Sequence, residues 1–118
     1  MFAEVKDMLT FIEPNEDSYD GKIIAEIKAC ALDLTRTAEI VLPGTIDITR
    51  EKDALTDGWT ITDNSTVTDD LIIKTIAVWC NKEIGNPPNY DNLQASYDAL
   101  KGSLRISKHY TNYEGATV

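Results

Sequence analysis

Cysteine and histidine, which build most metal and disulfide sites, are scarce in this 118-residue sequence. It has two cysteines, Cys30 and Cys80, which form no CxxC pair, and one histidine, His109, far from both in sequence. A structural zinc site needs about four ligands, usually in short paired spacings. We therefore expect no metal and no disulfide framework, and interpret the cysteines as reduced thiols on apolar helix faces in a reducing compartment.

Catalytic and phosphate-binding motifs are also lacking. Six glycines are scattered at turn and helix-end positions and form no Gly-rich phosphate loop. No GxSxG, HExxH or Cys–His signature is present, and the adjacent acids Asp69 and Asp70 fit the first turn of a helix. We therefore expect that the protein is not an enzyme and holds no cofactor.

Long apolar runs and positive charge are limited. No run approaches the roughly 18–20 residues that span a membrane, and the opening MFAEVKDMLTF carries acids instead of a basic signal region. Eleven lysines and arginines against twenty acids give a net charge of −9. Tight nucleic-acid binding needs a concentrated basic surface. Composition therefore predicts neither a membrane protein, nor a secreted disulfide scaffold, nor a general DNA binder.

The acids that are present fall in two blocks. Residues 1–20 and residues 47–70 each carry a net charge of −5, whereas residues 98–118 carry +1. Such blocks either guide like subunits or a partner into register, or are solvated loops that keep the chain dispersed. Both interpretations are open at this point.

Length and hydrophobic periodicity predict one mainly α domain over residues 1–118, a small bundle of about four helices. A first helix is expected over residues 2–11, ending before Pro14. A second helix of about twenty residues is expected to be capped by Ser18 or Asp20. Its small alanines favour close packing against another helix.

The third and fourth helices are predicted after the stretch in which the hydrophobic period changes from helical to two. Thr66 or Thr68 is expected to cap the third helix, which ends at Gly85 and is apolar on nearly all sides. Such a helix is either central in its fold or shared with a neighbouring subunit. A fourth helix is expected to begin near Asp91, and residues 108–118 are interpreted as a C-terminal tail.

Residues 43–64 predict a β-hairpin or extended arm between the second and third helices. Residues 45–49 and 59–62 alternate with period two around a charged connection from Arg50 to Gly58. That connection is longer than a tight hairpin needs, so we expect a protruding arm. Trp59 and Ile61 on it either form a docking surface or fold back on the helices.

Aromatic and basic side chains supply the remaining candidate contacts. Tyrosines on a tail are either partner anchors or part of a frayed terminus. The candidate residues for a partner or subunit interface are Trp59, Ile61, Trp79, Arg105, Tyr110 and Tyr113.

Three stretches carry a resemblance to a known family. They are EVKDML at residues 4–9, DDLIIKTIAVWCNKEIGNPP at residues 69–88 and YDALKGSLRIS at residues 97–107. With its four-helix order, the chain resembles the head–tail connector (adaptor, or head-completion) proteins of long-tailed bacteriophages and prophages of Gram-positive bacteria. The likeness covers most of the chain and consists of helix-face patterns; the departure is the arm at residues 43–64, where many members have a short loop.

The resemblance implies a structural virion protein, assembled in the host bacterial cytoplasm. Such proteins form a ring, usually of twelve subunits, that joins the portal protein to a stopper or tail-completion protein after DNA packaging. DNA passes through the extended channel without specific binding. The alternative is a small acidic interaction or regulatory protein, such as a DNA mimic or inhibitor, that acts as a monomer or dimer.

Overall fold

The structure is a computed structural model that describes residues 1–13, 16–85 and 88–106. It confirms a mainly α fold with a hairpin between the second and third helices. The predicted tail at residues 108–118 lies outside the described residues. The elements, in chain order, are α1 (Phe2–Asp7), α2 (Asp20–Thr37), β1 (Ile48–Lys52), β2 (Trp59–Asp63), α3 (Asp70–Ile84) and α4 (Tyr90–Ile106).

Helix α3 lies at the centre and packs against the other three helices. Of its side chains only Asp70, Lys74 and Glu83 are exposed, so the continuous apolar run reflects a central position within the chain. The buried core joins this helix to α2, to Val5 of α1, to Tyr97 and Leu104 of α4, and to the base of the hairpin. Its largest fully buried apolar members are Tyr97, Ile23, Ile27, Leu34, Ile40, Ile48, Ile72, Ile76, Leu104, Val5 and Val67.

The N-terminus of α3 is capped by Asp69, and the prediction of a Thr66 or Thr68 cap was wrong. The Asp69 carboxylate accepts hydrogen bonds from the backbone N–H groups of Leu71 and Ile72, at 2.9 and 3.1 Å. Thr66 has a different role, since its hydroxyl accepts the backbone N–H of Thr45 at 2.7 Å. A carboxylate at this position also complements the positive end of the helix dipole.

No side chain among the described residues caps the start of helix α2, contrary to the expected role of Ser18 or Asp20. The N-cap residue is Tyr19, and Asp20 is the first helical residue. The Asp20 carboxylate is instead bound by Lys6 of α1 at 2.7 Å. An ion pair between two helices has thus replaced a local cap, and it fixes α1 against the start of α2.

Helix α1 ends at Asp7, four residues before the predicted end. Beyond it, the backbone of the following residues hydrogen-bonds to the side chain of Asn81 in α3 instead of continuing the helix. The Asn81 side chain accepts the backbone N–H of Thr10 at 2.9 Å and donates to the carbonyl of Met8 at 3.2 Å. Nearby, a Cβ at Gly85 would lie 2.8 Å from both the Asn81 carbonyl oxygen and the Phe11 ring. Only glycine fits this close approach.

The hairpin has a shorter connection than the sequence predicted. Strand β1 runs through Lys52 and pairs antiparallel with β2, with Ile48 opposite Asp63, Arg50 opposite Ile61 and Lys52 opposite Trp59. The connection is therefore residues 53–58, not Arg50 to Gly58. A charged sequence at residues 50–52 favours a loop, but these residues tolerate a strand because much of this hairpin lies outside the core.

Candidate functional site: the hairpin and the helix seam

The hairpin has one face toward the helices and one toward solvent. Residues opposite one another in an antiparallel pair share a face, so Ile48, Arg50, Trp59 and Ile61 lie together. Ile48 is fully buried and Ile61 packs against the core, so the base of the arm is fixed on the bundle. The other face carries only polar, exposed residues: Thr49, Glu51, Thr60 and Thr62.

Trp59 shares the face of Ile61 but lies farther along the arm, and it is 53% exposed. The Arg50 guanidinium carbon is 4.0 Å from the centre of its ring, a cation–π contact. Arg50 reaches back toward the start of α2, where a Cβ at Gly21 would lie 2.7 Å from its Nη1. The buried Nε of Arg50 has no hydrogen-bond partner among the described residues. Arg50 thus connects the bundle to an exposed tryptophan.

The end of the hairpin presents Leu55, which is 95% exposed. Asp53 organises this turn: its carboxylate accepts the backbone N–H of Leu55 at 2.8 Å. Asp57 has a positive φ of 59° and donates its N–H to the Asp53 carbonyl at 2.9 Å. Local hydrogen bonds to the Asp53 carboxylate hold its pKa below the usual range. A bulky apolar side chain is therefore displayed on a defined turn.

Asp63, at the base of the arm, joins the hairpin to the first helix. Its carboxylate accepts the backbone N–H of Phe2 at 2.7 Å and that of Ser65 at 3.0 Å. Partial burial disfavours the charged form, but hydrogen bonds from Ser65 and from the Phe2 backbone outweigh it, so the pKa of Asp63 lies well below its ordinary value.

A second cluster of polar and aromatic groups lies where α2, α3 and α4 meet; we call it the helix seam. Trp79 packs edge-on against Tyr97, with ring centres 5.1 Å apart, and its Nε1 donates to Glu26 of α2 at 2.9 Å. The Lys82 side chain is 2% exposed and pairs with Glu83. Its ammonium is 4.2 Å from the centre of the Trp79 ring and 5.5 Å from that of Tyr97. A buried charge is thus surrounded by ring faces.

Tyr97 continues the seam toward α2. Its hydroxyl donates to Asp33 at 2.5 Å, and Lys101 binds the same carboxylate oxygen at 3.0 Å. Burial disfavours ionisation of Asp33, but hydrogen bonds from Tyr97 and Lys101 outweigh it and lower its pKa. Burial also raises the pKa of the Tyr97 hydroxyl far above 10. The seam therefore holds Tyr97 neutral and Asp33 charged at pH 7.

The thiols of the core do not have the character of nucleophiles. Burial raises the pKa of Cys30 to about 12, and the Cys30 thiol lies 3.8 Å from the Tyr97 hydroxyl. Burial likewise raises the pKa of Cys80. Nucleophilic cysteines have a lowered pKa and access to solvent. Within the described ranges 1–13, 16–85 and 88–106, no group of three or more His, Cys, Asp or Glu side chains is placed to hold a metal ion.

The candidate residues from the sequence fall in different places. Trp59 is half exposed on the arm, and Arg105 is exposed in the last turn of α4 beside Ile106. Ile61 packs against the core, and Trp79 belongs to the helix seam. Tyr110 and Tyr113 lie outside the described residues.

Leu55, Arg50 and Lys82 were missed by the sequence interpretation. Leu55 carried a signal, since it is a lone bulky apolar residue in a charged connection. Lys82 carried none, because a lysine among apolar residues of a helix ordinarily keeps its ammonium in water. Its burial depends on rings that α4 supplies.

Comparison with protein families, curated proteins and solved structures found no match to the chain. Among the described residues, no helix is both long enough and apolar enough to cross a lipid bilayer.

Proposed function

We propose that the protein is a structural virion component, a head–tail connector subunit that assembles into a ring between the portal protein and a stopper or tail-completion protein. The proposal starts from the resemblance of residues 4–9, 69–88 and 97–107 to that family. In this role the chain assembles in the host cytoplasm and ends in the virion.

The observation that carries the proposal is the exposed end of the hairpin. Leu55 and Trp59 extend from a helical body whose own core is complete without them. Tryptophan is enriched among the residues that carry binding energy at protein interfaces, and Leu55 adds an exposed apolar side chain on an ordered turn at the same end of the hairpin. An arm on one side of a subunit and a helical surface on another supply the two unlike patches that a ring requires.

The charge of the chain supports passage of DNA through such a ring. A net charge of −9 repels phosphates, so a channel made from many copies would let DNA move without adhering. This argument concerns the whole chain and assigns no individual residue to the channel wall.

Native mass spectrometry of the purified chain over a wide concentration range tests the proposal, first alone and then with the portal protein of the same virus. The expected result is a closed ring, near twelve copies, in at least one of the two samples. A chain that stays monomeric or dimeric in both samples, and competes with DNA for a basic protein, would overturn the connector role. It would favour the small acidic regulator.

A further inference from the structure

The acids and the cations of α2 differ in whether another part of the chain binds them. Its acids Asp20, Glu26 and Asp33 are each bound by another element, through Lys6, Trp79 and the pair Tyr97 and Lys101. Its cations are not: Lys22, Lys28 and Arg36 are exposed and make no ion pair or hydrogen bond within the described part of the chain.

These cations share one face of the helix with apolar residues. Positions 22, 25, 28, 32 and 36 recur at steps of three and four, so they line one side of α2 over about 21 Å at 1.5 Å per residue. Leu32, in the middle of this side, is 50% exposed, and Ala25 is exposed. We call this surface, made of Lys22, Ala25, Lys28, Leu32 and Arg36, the basic face.

The end of the hairpin has the opposite character. Residues 51–58, here called the tip, contain Glu51, Asp53 and Asp57 against Lys52, a net charge of −2. Lys52 is already paired with Asp57 at 2.9 Å. Residues 51–57 are all exposed, so the tip does not pack on helices α1 to α4 as the structure describes them. Leu55 extends from it as the apolar centre.

We propose that the tip of one copy docks on the basic face of a second copy, with Leu55 against Leu32. This inference rests on the proposed ring and names its subunit contact. Like-with-like contacts are disfavoured, because tip on tip brings acids together and face on face brings cations together. Only the unlike pairing matches both charge and apolar centre. Because the two patches differ, each copy offers one of each, and such a head-to-tail contact gives a ring when the rotation between successive copies closes.

Two substitutions test the two sides of the contact, the tip and the basic face, one at a time. Leu55→Asp alters the tip and Leu32→Asp alters the basic face, both at exposed positions, so each variant keeps one half intact. Thr62→Asp, whose cross-strand partner is Thr49, and Ala95→Asp are matched controls that add the same charge at exposed positions outside the tip, on the hairpin and on α4. Circular dichroism establishes that each variant is folded.

The measurement is native mass spectrometry under conditions in which the unchanged chain assembles, with one variant labelled with ¹⁵N. Each variant alone is expected to be monomeric, with the dissociation constant between copies raised about thirtyfold or more, as for loss of an interface hot spot. An equal mixture is expected to form mixed dimers and no rings, since the intact tip of the Leu32→Asp chain meets the intact face of the Leu55→Asp chain. The controls should assemble like the unchanged chain.

The outcomes that overturn this contact differ from those that overturn the ring. If the unchanged chain assembles and either variant assembles equally well, the contact is wrong and the ring remains. If both variants are monomeric but no mixed dimer forms, the two patches do not meet, and the contact is again wrong. Failure of the unchanged chain to assemble, alone or with the portal protein, overturns the proposed function itself.

Lys28→Glu is a second variant of the basic face. It tests the contact even if the chain does not fold with an aspartate at position 32. Loss of assembly with this variant supports the contact. Unchanged assembly together with weaker binding of a duplex DNA oligonucleotide would make the basic face a nucleic-acid site and overturn the proposal. Raising the salt concentration from about 0.1 M to 1 M should also weaken assembly, because the Debye length falls from about 10 to 3 Å.

Discussion

The ammonium of Lys82 lies 4.2 Å from the centre of the Trp79 ring, one turn earlier on the same helix. Tyr90 and Tyr97 of α4 add ring faces at 5.4 and 5.5 Å, and Glu83 supplies the counter-charge. A cation that is almost fully buried thus joins α3 to α4 through aromatic contacts. The lysine stem fills space in the seam as well as carrying charge.

Lys82→Ala is expected to lower the free energy of unfolding by about 2–4 kcal/mol, since it removes buried stem atoms and the cation–π contacts together. Lys82→Met is the matched control: it keeps the stem and removes the buried charge, and should cost about 1 kcal/mol or less. Urea unfolding followed by far-UV circular dichroism measures both. Equal costs for the two variants would show that the charge, not the packing, stabilises this position.

The Tyr97 hydroxyl gives a second test of the seam. Tyr97→Phe removes a hydrogen bond to the charged Asp33 in a buried position and should cost about 1.5–3 kcal/mol. Tyr90→Phe removes a hydroxyl that donates to Glu83 at 3.2 Å from an exposed ring, and should cost less than about 0.5 kcal/mol. Denaturant unfolding of the two variants at pH 7 compares them directly. A Tyr97→Phe chain as stable as the original would mean that Lys101 and Thr37 are enough to satisfy Asp33.

How much of this arrangement the sequence predicts depends on the range of the interaction. Helices with regular apolar spacing, and the hairpin with its alternating threonines, follow from local pattern and were found. The Asp69 cap was missed because three neighbouring residues, Thr66, Thr68 and Asp69, all favour such a position. The Lys6–Asp20 pair and the burial of Lys82 depend on elements far apart in sequence, which no local pattern contains.

The same reasoning applies to the candidate interface. Trp59 and Ile61 are two residues apart in one strand. The sequence predicts that both side chains either form a docking surface or fold back on the helices. In the structure Ile61 packs against the core and Trp59 is half exposed, because the helices contact the hairpin only near its base. Arg50 contacts both the start of α2 and the Trp59 ring, so the environment of Trp59 depends on residues outside its own strand.

Stability is expected to fall as pH rises above about 9, because of the buried thiols. The folded pKa of Cys30 is raised to about 12 from an ordinary 9.0. A raised pKa contributes stability that is fully present below the unfolded value and is lost as pH rises toward the folded one. Between pH 9 and 12 the thiol therefore ionises in the unfolded chain but not in the folded one. The free energy of unfolding falls by up to about 1.4 kcal/mol per pH unit over this range.

Urea unfolding at pH 8 and pH 10 in the presence of a reductant measures this loss. Cys30→Ala should be less sensitive to pH over that interval than the unchanged chain. Cys80→Ala is the parallel variant, because burial raises the pKa of that thiol too. A pH dependence that is the same with and without Cys30 would contradict the burial of its thiol.

Substitution by alanine is expected to have opposite effects on stability at two glycines, one inside a helix and one just after a helix. A Cβ at Gly102, inside α4, would meet nothing within 4 Å, so Gly102→Ala should stabilise the chain by about 0.5–1 kcal/mol through helix propensity. A Cβ at Gly85 would meet the Asn81 carbonyl oxygen and the Phe11 ring at 2.8 Å, so Gly85→Ala should destabilise it. Thermal unfolding ranks the two. If both raised the melting temperature, the close approach at Gly85 would be wrong.

The two tryptophans separate stability from assembly. Trp79 contacts Glu26, Lys82 and Tyr97, so Trp79→Ala should cost about 3–5 kcal/mol in the isolated chain. Trp59 is half exposed and contacts Arg50, so Trp59→Ala should cost only about 0.5–1 kcal/mol, the value of an exposed cation–π pair. Its helical content should be unchanged while its assembly weakens. Denaturant unfolding and native mass spectrometry of the same two samples measure both quantities. A Trp59→Ala chain that assembles normally but unfolds easily would assign Trp59 to stability and remove it from the interface.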